Sequence, residues 1–214
     1  APEDQLPNFV LTQDLDYREV YEAWRRLLNE KRRLDELWAW QGRTWSDFCA
    51  LAVTLAVRAI DGARLVASSP VVLFHDHDQG AWFGADRPLA VYFLEKQRLV
   101  VEIQYRPKYV GRLQETLAAP IWLRIGTQSS MELARRIPVW PRLVFSPVNL
   151  MDEAANCADS ISQVAAKALV HRALIVHSDP ATGVAHAGSE GLRVTSIGMA
   201  PSGRWLLEGF NHIG

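Results

Sequence analysis

Three short runs in this chain carry residue types that could do chemistry. The first is His75-Asp76-His77-Asp78. Histidines at i and i+2 of a strand point the same way, so His75 and His77 could share a metal ion, with an Asp behind them. A zinc site would still need a further ligand, from Glu102 or His177. No third ligand stands at a known spacing, which favours the plainer reading of a polar strand end running into the Asp78-Gln79-Gly80 turn. The second run is Glu102-Ile103-Gln104. Alternation along a half-buried strand already predicts polar residues there, and the wet face of a strand is the preferred reading. The third is His177-Ser178-Asp179-Pro180, with His186 beyond it. These are the residue types of Ser-His-Asp catalysis, but no nucleophile elbow precedes them. The stretch from Asp179 to Gly183 reads as a loop with turn chemistry, open only to a role in binding a ligand. No Walker A loop or GxGxxG run supports nucleotide binding. His171 and His212 carry no specific signal.

The elements that must position these residues follow from periodicity. After an extended lead-in through residue 13, Val20, Tyr21, Trp24, Leu27, Leu28, Leu34, Leu37 and Trp38 recur mostly at three-to-four spacing, which predicts a helix over about 14–40. Gln41-Gly42 predicts a break. Thr44, with Asp47 three residues on, reads as a weak capping box opening a second helix to Gly62. That helix is apolar almost all round, so it is expected to be the buried core helix. Strands are predicted at Leu65-Val66, 71–74, 81–83, 89–94, 99–105, 120–125, 142–148, 172–176 and 192–199. A helix is expected over about 152–169, and a last short one opened by Ser202. Helices, a meander, then strand-strand-helix-strand make a mixed α/β or α+β plan.

Composition sets the class. A chain of 214 residues can bury a sizeable core as one large domain or two small ones. With 49% apolar and 22% charged residues it reads as an ordinary globular protein. The net charge of −1 is a poor footprint for a stand-alone nucleic-acid binder. A local basic run, Arg25, Arg26, Lys31, Arg32 and Arg33, is read first as a solvated helix face. Cys49 and Cys157 sit among small and apolar residues, so they are expected to be reduced, buried and inert in a cytoplasmic protein. No apolar run is long enough to span a bilayer, and no signal peptide is expected. The chain begins at Ala1, so a fragment or processed product that has lost an amino-terminal partner domain is one expectation.

The order of elements resembles a known family, the predicted virus-defence proteins with a carboxy-terminal PD-(D/E)xK nuclease domain, which include LlaJI-type restriction proteins. The segment from Asp16-Tyr17-Arg18-Glu19-Val20-Tyr21 through Trp24-Arg25-Arg26 is similar to the family's helix ahead of the nuclease core. Arg43-Thr44-Trp45 resembles the start of its "LYExW" helix, and Val101 to Pro107 its strand before "RPD". Residues 156–161 and 173–178 look like its "MhaYrDAi" helix and "vLYPG" strand, and Ile197-Gly198-Met199-Ala200-Pro201 like its closing "ipLxPG". The resemblance implies a restriction-endonuclease-like core over residues 43–214, behind a lead-in and helix over 1–42.

The departures from that family are systematic. Its catalytic positions fall on Ala50, Ile121, Ser146 and Val148. Such chemistry needs carboxylates to hold Mg²⁺ and a Lys to position water, and these residues do neither. The resemblance therefore implies a non-catalytic relative with no cofactor, one that binds a protein partner, DNA or both. Trp24, Trp38, Trp40 and Trp45, with Arg25 and Arg26 beside them, are the expected docking residues. The alternative is an active Mg²⁺ or Mn²⁺ nuclease with a migrated site at Asp76, Asp78 and Glu102. Glu102-Ile103-Gln104 has the E-x-Q form of some divergent nucleases, although it stands one strand too early for the family. A scaffold with no nucleic-acid role is the third reading.

Overall fold

The computed structural model describes residues 15–69, 72–76, 80–84, 88–106, 117–144, 146–178 and 183–199. His77, Asp78, Phe145, residues 179–182, the lead-in to residue 13 and the closing helix expected from Ser202 lie outside them. The chain divides into two compact units, residues 1–39 and 40–214. A single helix, α1 (Leu15–Ala59), supplies residues to both.

The break expected at Gln41-Gly42 is absent, so the two predicted amino-terminal helices are one. A glycine inside a helix costs about 1 kcal/mol. Burial on the following turns outweighs that, since Trp45, Cys49, Val53 and Val57 are all in the core. Thr44 opens no new helix, and its hydroxyl instead donates back to the Trp40 carbonyl at 3.0 Å. This part of α1 is also less enclosed than its composition implied. Ala50, Ala52 and Ala56 are buried, whereas Leu51 and Leu55 are each 43% exposed.

Among the described residues, ten strands and a second helix come after α1. The strands are β1 (Ala63–Ser68), β2 (Val72–Asp76), β3 (Gly80–Gly84), β4 (Ala90–Leu94), β5 (Leu99–Tyr105), β6 (Ile121–Gly126), β7 (Arg135–Arg142), β8 (Arg172–His177), β9 (Gly183–Ser189) and β10 (Leu192–Gly198). The helix α2 (Leu150–Lys167) joins β7 to β8. β2 and β3 pair as a separate hairpin, and the rest form one eight-stranded sheet in the order β1-β4-β5-β6-β7-β8-β10-β9. Pairing is antiparallel from β1 to β7, parallel across β7-β8 and β8-β10, and antiparallel again at β9. The fold is mixed α+β.

Two strands differ from expectation for physical reasons. β7 runs over Arg135–Arg142, ahead of the predicted 142–148, and includes Pro138 and Pro141. β6 pairs with β7 only up to Val139, and β8 pairs only from Val139 onward. Each proline therefore sits where β7 has one neighbour, the position in which a missing N–H is tolerated. β9 is not among the predicted strands, and only its first residue, Gly183, falls in the expected loop; it closes the sheet edge through a hairpin with β10. Glu190 and Gly191 both take positive φ there (49° and 81°), as a tight two-residue turn requires.

The sheet is covered on both faces by apolar clusters. One joins Trp45, Cys49, Ala50, Val53 and Val57 of α1 to Tyr92, Ile103, Tyr105, Ile121, Val139 and Val176. The other joins Ala154, Cys157, Ala158, Ile161 and Ala165 of α2 to Trp140, Ala173, Ile175 and Val194. The small side chains along α2 let its backbone lie close to the sheet. The Asn149 side chain caps it, accepting from the Met151 and Asp152 amides at 3.1 and 3.4 Å. Among the described residues no helix is long and apolar enough to cross a membrane.

Candidate functional site

The resemblance places a catalytic centre where α1 meets the start of β6, and that place is packed with apolar side chains. Ile121 opens β6 and lies in register between Tyr105 of β5 and Val139 of β7. It is fully buried, and Ala50 is buried in the same cluster. Trp45 seals the region, its indole Nε1 donating to the Val176 carbonyl at 3.2 Å. Trp45 is thus a core residue at 7% exposure, and its expected place among the docking tryptophans is corrected. Its helix turn faces the sheet, and burying the ring outweighs leaving it at the surface. Ser146 and Val148 are not on a strand. They stand in the segment between β7 and α2, with Ser146 exposed. The β7 residue beside Ile121 is Val139, which is as apolar as the residue it faces.

One carboxylate lies in this region, and sequence reasoning noticed it only as a weak cap. Asp47 stands one helical turn before Ala50, on the same side of α1. Its side chain accepts a hydrogen bond from the Tyr105 hydroxyl. Asp47 is 8% exposed and Tyr105 1%. Burial raises the Asp47 pKa, while the Tyr105 bond and the nearby Arg43 guanidinium pull it down less strongly. The Tyr105 hydroxyl is pushed well above its usual range, by burial first and then by its bond to Asp47. A single carboxylate with a phenol, enclosed on both sides, suits pinning a helix to a strand and not holding a metal. The signal in the sequence was slight: a polar residue on an otherwise apolar helix, and a Tyr at an inward strand position.

Of the alternative metal site at Asp76, Asp78 and Glu102, the structure describes the side chain of Glu102. Glu102 faces Arg124 across β5 and β6 in direct register. Its Oε2 accepts from Arg124 Nη1 at 2.8 Å, and its Oε1 accepts from Gln104 Nε2 at 2.8 Å. Both oxygens are thereby engaged, with the Glu102 side chain 13% exposed. Arg124 also donates to the Met131 carbonyl at 3.0 Å, which holds the turn after β6. His75 and Asp76 lie on β2, paired with Ala81 and Gly80 of the separate hairpin. His77 and Asp78 fall outside the described residues. Among those described, no group of three or more His, Cys, Asp or Glu side chains could hold a metal.

The third run is divided by the fold. His177 ends β8 and is fully buried. Ser178 follows it, and its hydroxyl bonds both the amide and the carbonyl of Val144, at 2.9 and 3.3 Å, which ties β8 to the end of β7. His186 lies on β9 at the sheet edge, its Nδ1 3.0 Å from the Thr195 hydroxyl of β10. Ser178 and His186 are each engaged in these separate sheet contacts, and Asp179 lies outside the described residues.

The unit formed by residues 1–39 has a different surface. Val20, Trp24, Leu27, Leu28, Leu34, Leu37 and Trp38 of α1 are all exposed, from 46% to 67%. Arg25 and Arg26 are exposed too, with the Arg25 guanidinium 5.9 Å over the Tyr21 ring. In the second unit, Trp40 is 38% exposed. No protein-family model, curated protein or solved structure matches this chain.

Proposed function

We propose that this chain is a non-catalytic, restriction-endonuclease-like domain that works by binding, as a cytoplasmic component of a prokaryotic anti-phage or restriction system. The observation that carries the reading is the packed state of the expected centre. Ala50 and Ile121 lie inside the apolar core, where no hydrated Mg²⁺ could be held. The order of elements supports the scaffold: antiparallel β6 and β7, then α2, then β8 parallel to β7. The exposed apolar residues of α1 support a protein partner as the main contact, because contiguous apolar surface on a monomer marks interaction sites. Arg25 and Arg26 beside them are available to DNA phosphates.

The test is a nuclease assay on single- and double-stranded DNA and on RNA, with Mg²⁺ and Mn²⁺, paired with a DNA-binding titration at two salt concentrations. Binding that weakens steeply with salt, without cleavage, supports the DNA-contacting form of the reading. Neither binding nor cleavage leaves the protein-docking role. Metal-dependent cleavage lost on Glu102→Ala overturns the reading and puts an active site on the central strands.

A further inference from the structure

We infer that the apolar face of α1 between Val20 and Trp38 pairs with the same face of a second copy of this chain, antiparallel and about a two-fold axis. The inference rests on reading that face as the docking surface, and it names what docks there. The exposed residues follow a heptad. Val20, Leu27 and Leu34 occupy one seam position, and Trp24, Lys31 and Trp38 the other. Tyr21, Leu28 and Asp35 flank the seam on one side, and Ala23, Glu30 and Leu37 on the other.

The charges within this face select the occupant and its direction. A parallel pair would set Lys31 against Lys31 inside the seam, and Glu30 across from Asp35, both repulsive. In an antiparallel pair, seam positions of opposite kind meet. One alignment then pairs the apolar seam along its length. Trp38 packs on Val20 of the second copy, Trp24 on Leu34, and Leu27 on the stem of Lys31. Leu28 meets Leu28 across the axis, and Ala23 leaves room for Leu37. Tyr21 comes opposite Asp35. Lys31 of each copy falls within side-chain reach of Glu30 of the other, which relieves the approach of the two Glu30 carboxylates. Sliding the helices by a heptad to bring Trp24 onto Leu27 would set Trp38 against the polar residue Gln13. A face that is self-complementary about an axis is what an isologous dimer requires.

The full chain, studied by sedimentation equilibrium from low to high micromolar concentration, tests this. The expected result is a monomer–dimer equilibrium. Trp24→Ala weakens it by about 30-fold or more, as for truncation of a buried aromatic anchor. Lys31→Glu also weakens it, and adding Glu30→Lys to that variant restores it. These positions are exposed, so each variant keeps its fold, which circular dichroism verifies. The register is read by oxidation. The double variant Val20→Cys with Trp38→Cys forms an intermolecular disulfide, and neither single variant does. Val20 and Trp38 are too far apart along one helix to link within a chain. A monomer at every concentration overturns the inference, as does self-crosslinking of Val20→Cys alone. A monomer that still binds DNA removes the second copy as occupant while leaving the binding reading in place.

Discussion

The Tyr105 hydroxyl donates to the Asp47 carboxyl group across the packed boundary between α1 and β5, within one helical turn of Ala50 and in register with Ile121. The Asp47 carboxylate near the expected centre is therefore committed to an internal bond. The pair joins elements distant in sequence, and its two groups satisfy each other where water does not reach them.

Asp47 titrates with a defined sign. Its folded-state pKa is raised, chiefly by burial, above the ordinary value of 3.8. Its favourable contribution to stability is thus present below the ordinary value and is lost as pH rises through the raised one. At neutral pH the buried charge is a cost. Asp47→Asn keeps an acceptor for Tyr105 and removes that charge, so its melting temperature should exceed that of the parent at neutral pH, with the gap closing as pH falls. Asp47→Ala removes the carboxylate acceptor of the Tyr105 hydroxyl and should cost about 1–3 kcal/mol. Thermal melts across a pH series check both, and an Asn variant less stable at neutral pH contradicts the assignment.

Glu102 is expected to act through Arg124. Glu102→Ala strands a guanidinium whose side chain is 26% exposed, and should destabilise the chain by about 1–3 kcal/mol. Adding Arg124→Ala should recover part of that loss, because the two side chains lie in contact. Urea denaturation of the parent, both single variants and the double variant measures the coupling. Equal and additive losses would mean that the pair contributes nothing.

The tryptophans of α1 should separate into two classes. Trp45→Ala removes a buried ring and its bond to the Val176 carbonyl, and should cost about 3–5 kcal/mol. Trp24→Ala, at an exposed site, should leave the unfolding of the sheet unit within about 0.5 kcal/mol of the parent. Chemical denaturation at low protein concentration, where self-association does not contribute, distinguishes them.

Both cysteines should be silent towards a thiol reagent in the folded protein. Burial pushes the Cys49 thiol well up, and burial together with Glu153 lifts that of Cys157 to about 12. At pH 8 neither supplies appreciable thiolate. Timed reaction with a chromogenic disulfide should show no rapid labelling of the native protein and two equivalents after denaturation. Fast native labelling of either would contradict their burial.

A carboxylate placed at the expected centre should not create a metal site. Ile121→Asp buries a charge in the core without a partner, and loss of folding is the expected outcome, at a cost of several kcal/mol. Circular dichroism with and without Mn²⁺ reads the result, and a folded variant that gains metal-dependent stability would contradict the expectation.

The sequence by itself determined the local features whose physics is local. The apolar period of α1, the β4 and β5 strands and their turn, and the α2–β8 sequence all follow from side-chain spacing. The burial of both cysteines follows from their apolar neighbours. Tertiary structure decided the rest. Gly42 reads as a stop, yet the helix continues because the turns beyond it are buried. β7 lies ahead of the strand expected over 142–148 and passes through Pro138 and Pro141, because each finds a stretch with one neighbouring strand. Trp45 and Trp24 look alike in sequence, and only the fold turns one into the core and leaves the other exposed. Asp47 and Glu102 look like free carboxylates until partners distant in the chain, Tyr105 and Arg124, arrive beside them. Spacing along a chain reports which face a residue shares. What covers that face, and which charge meets it, is set by strands far away in sequence.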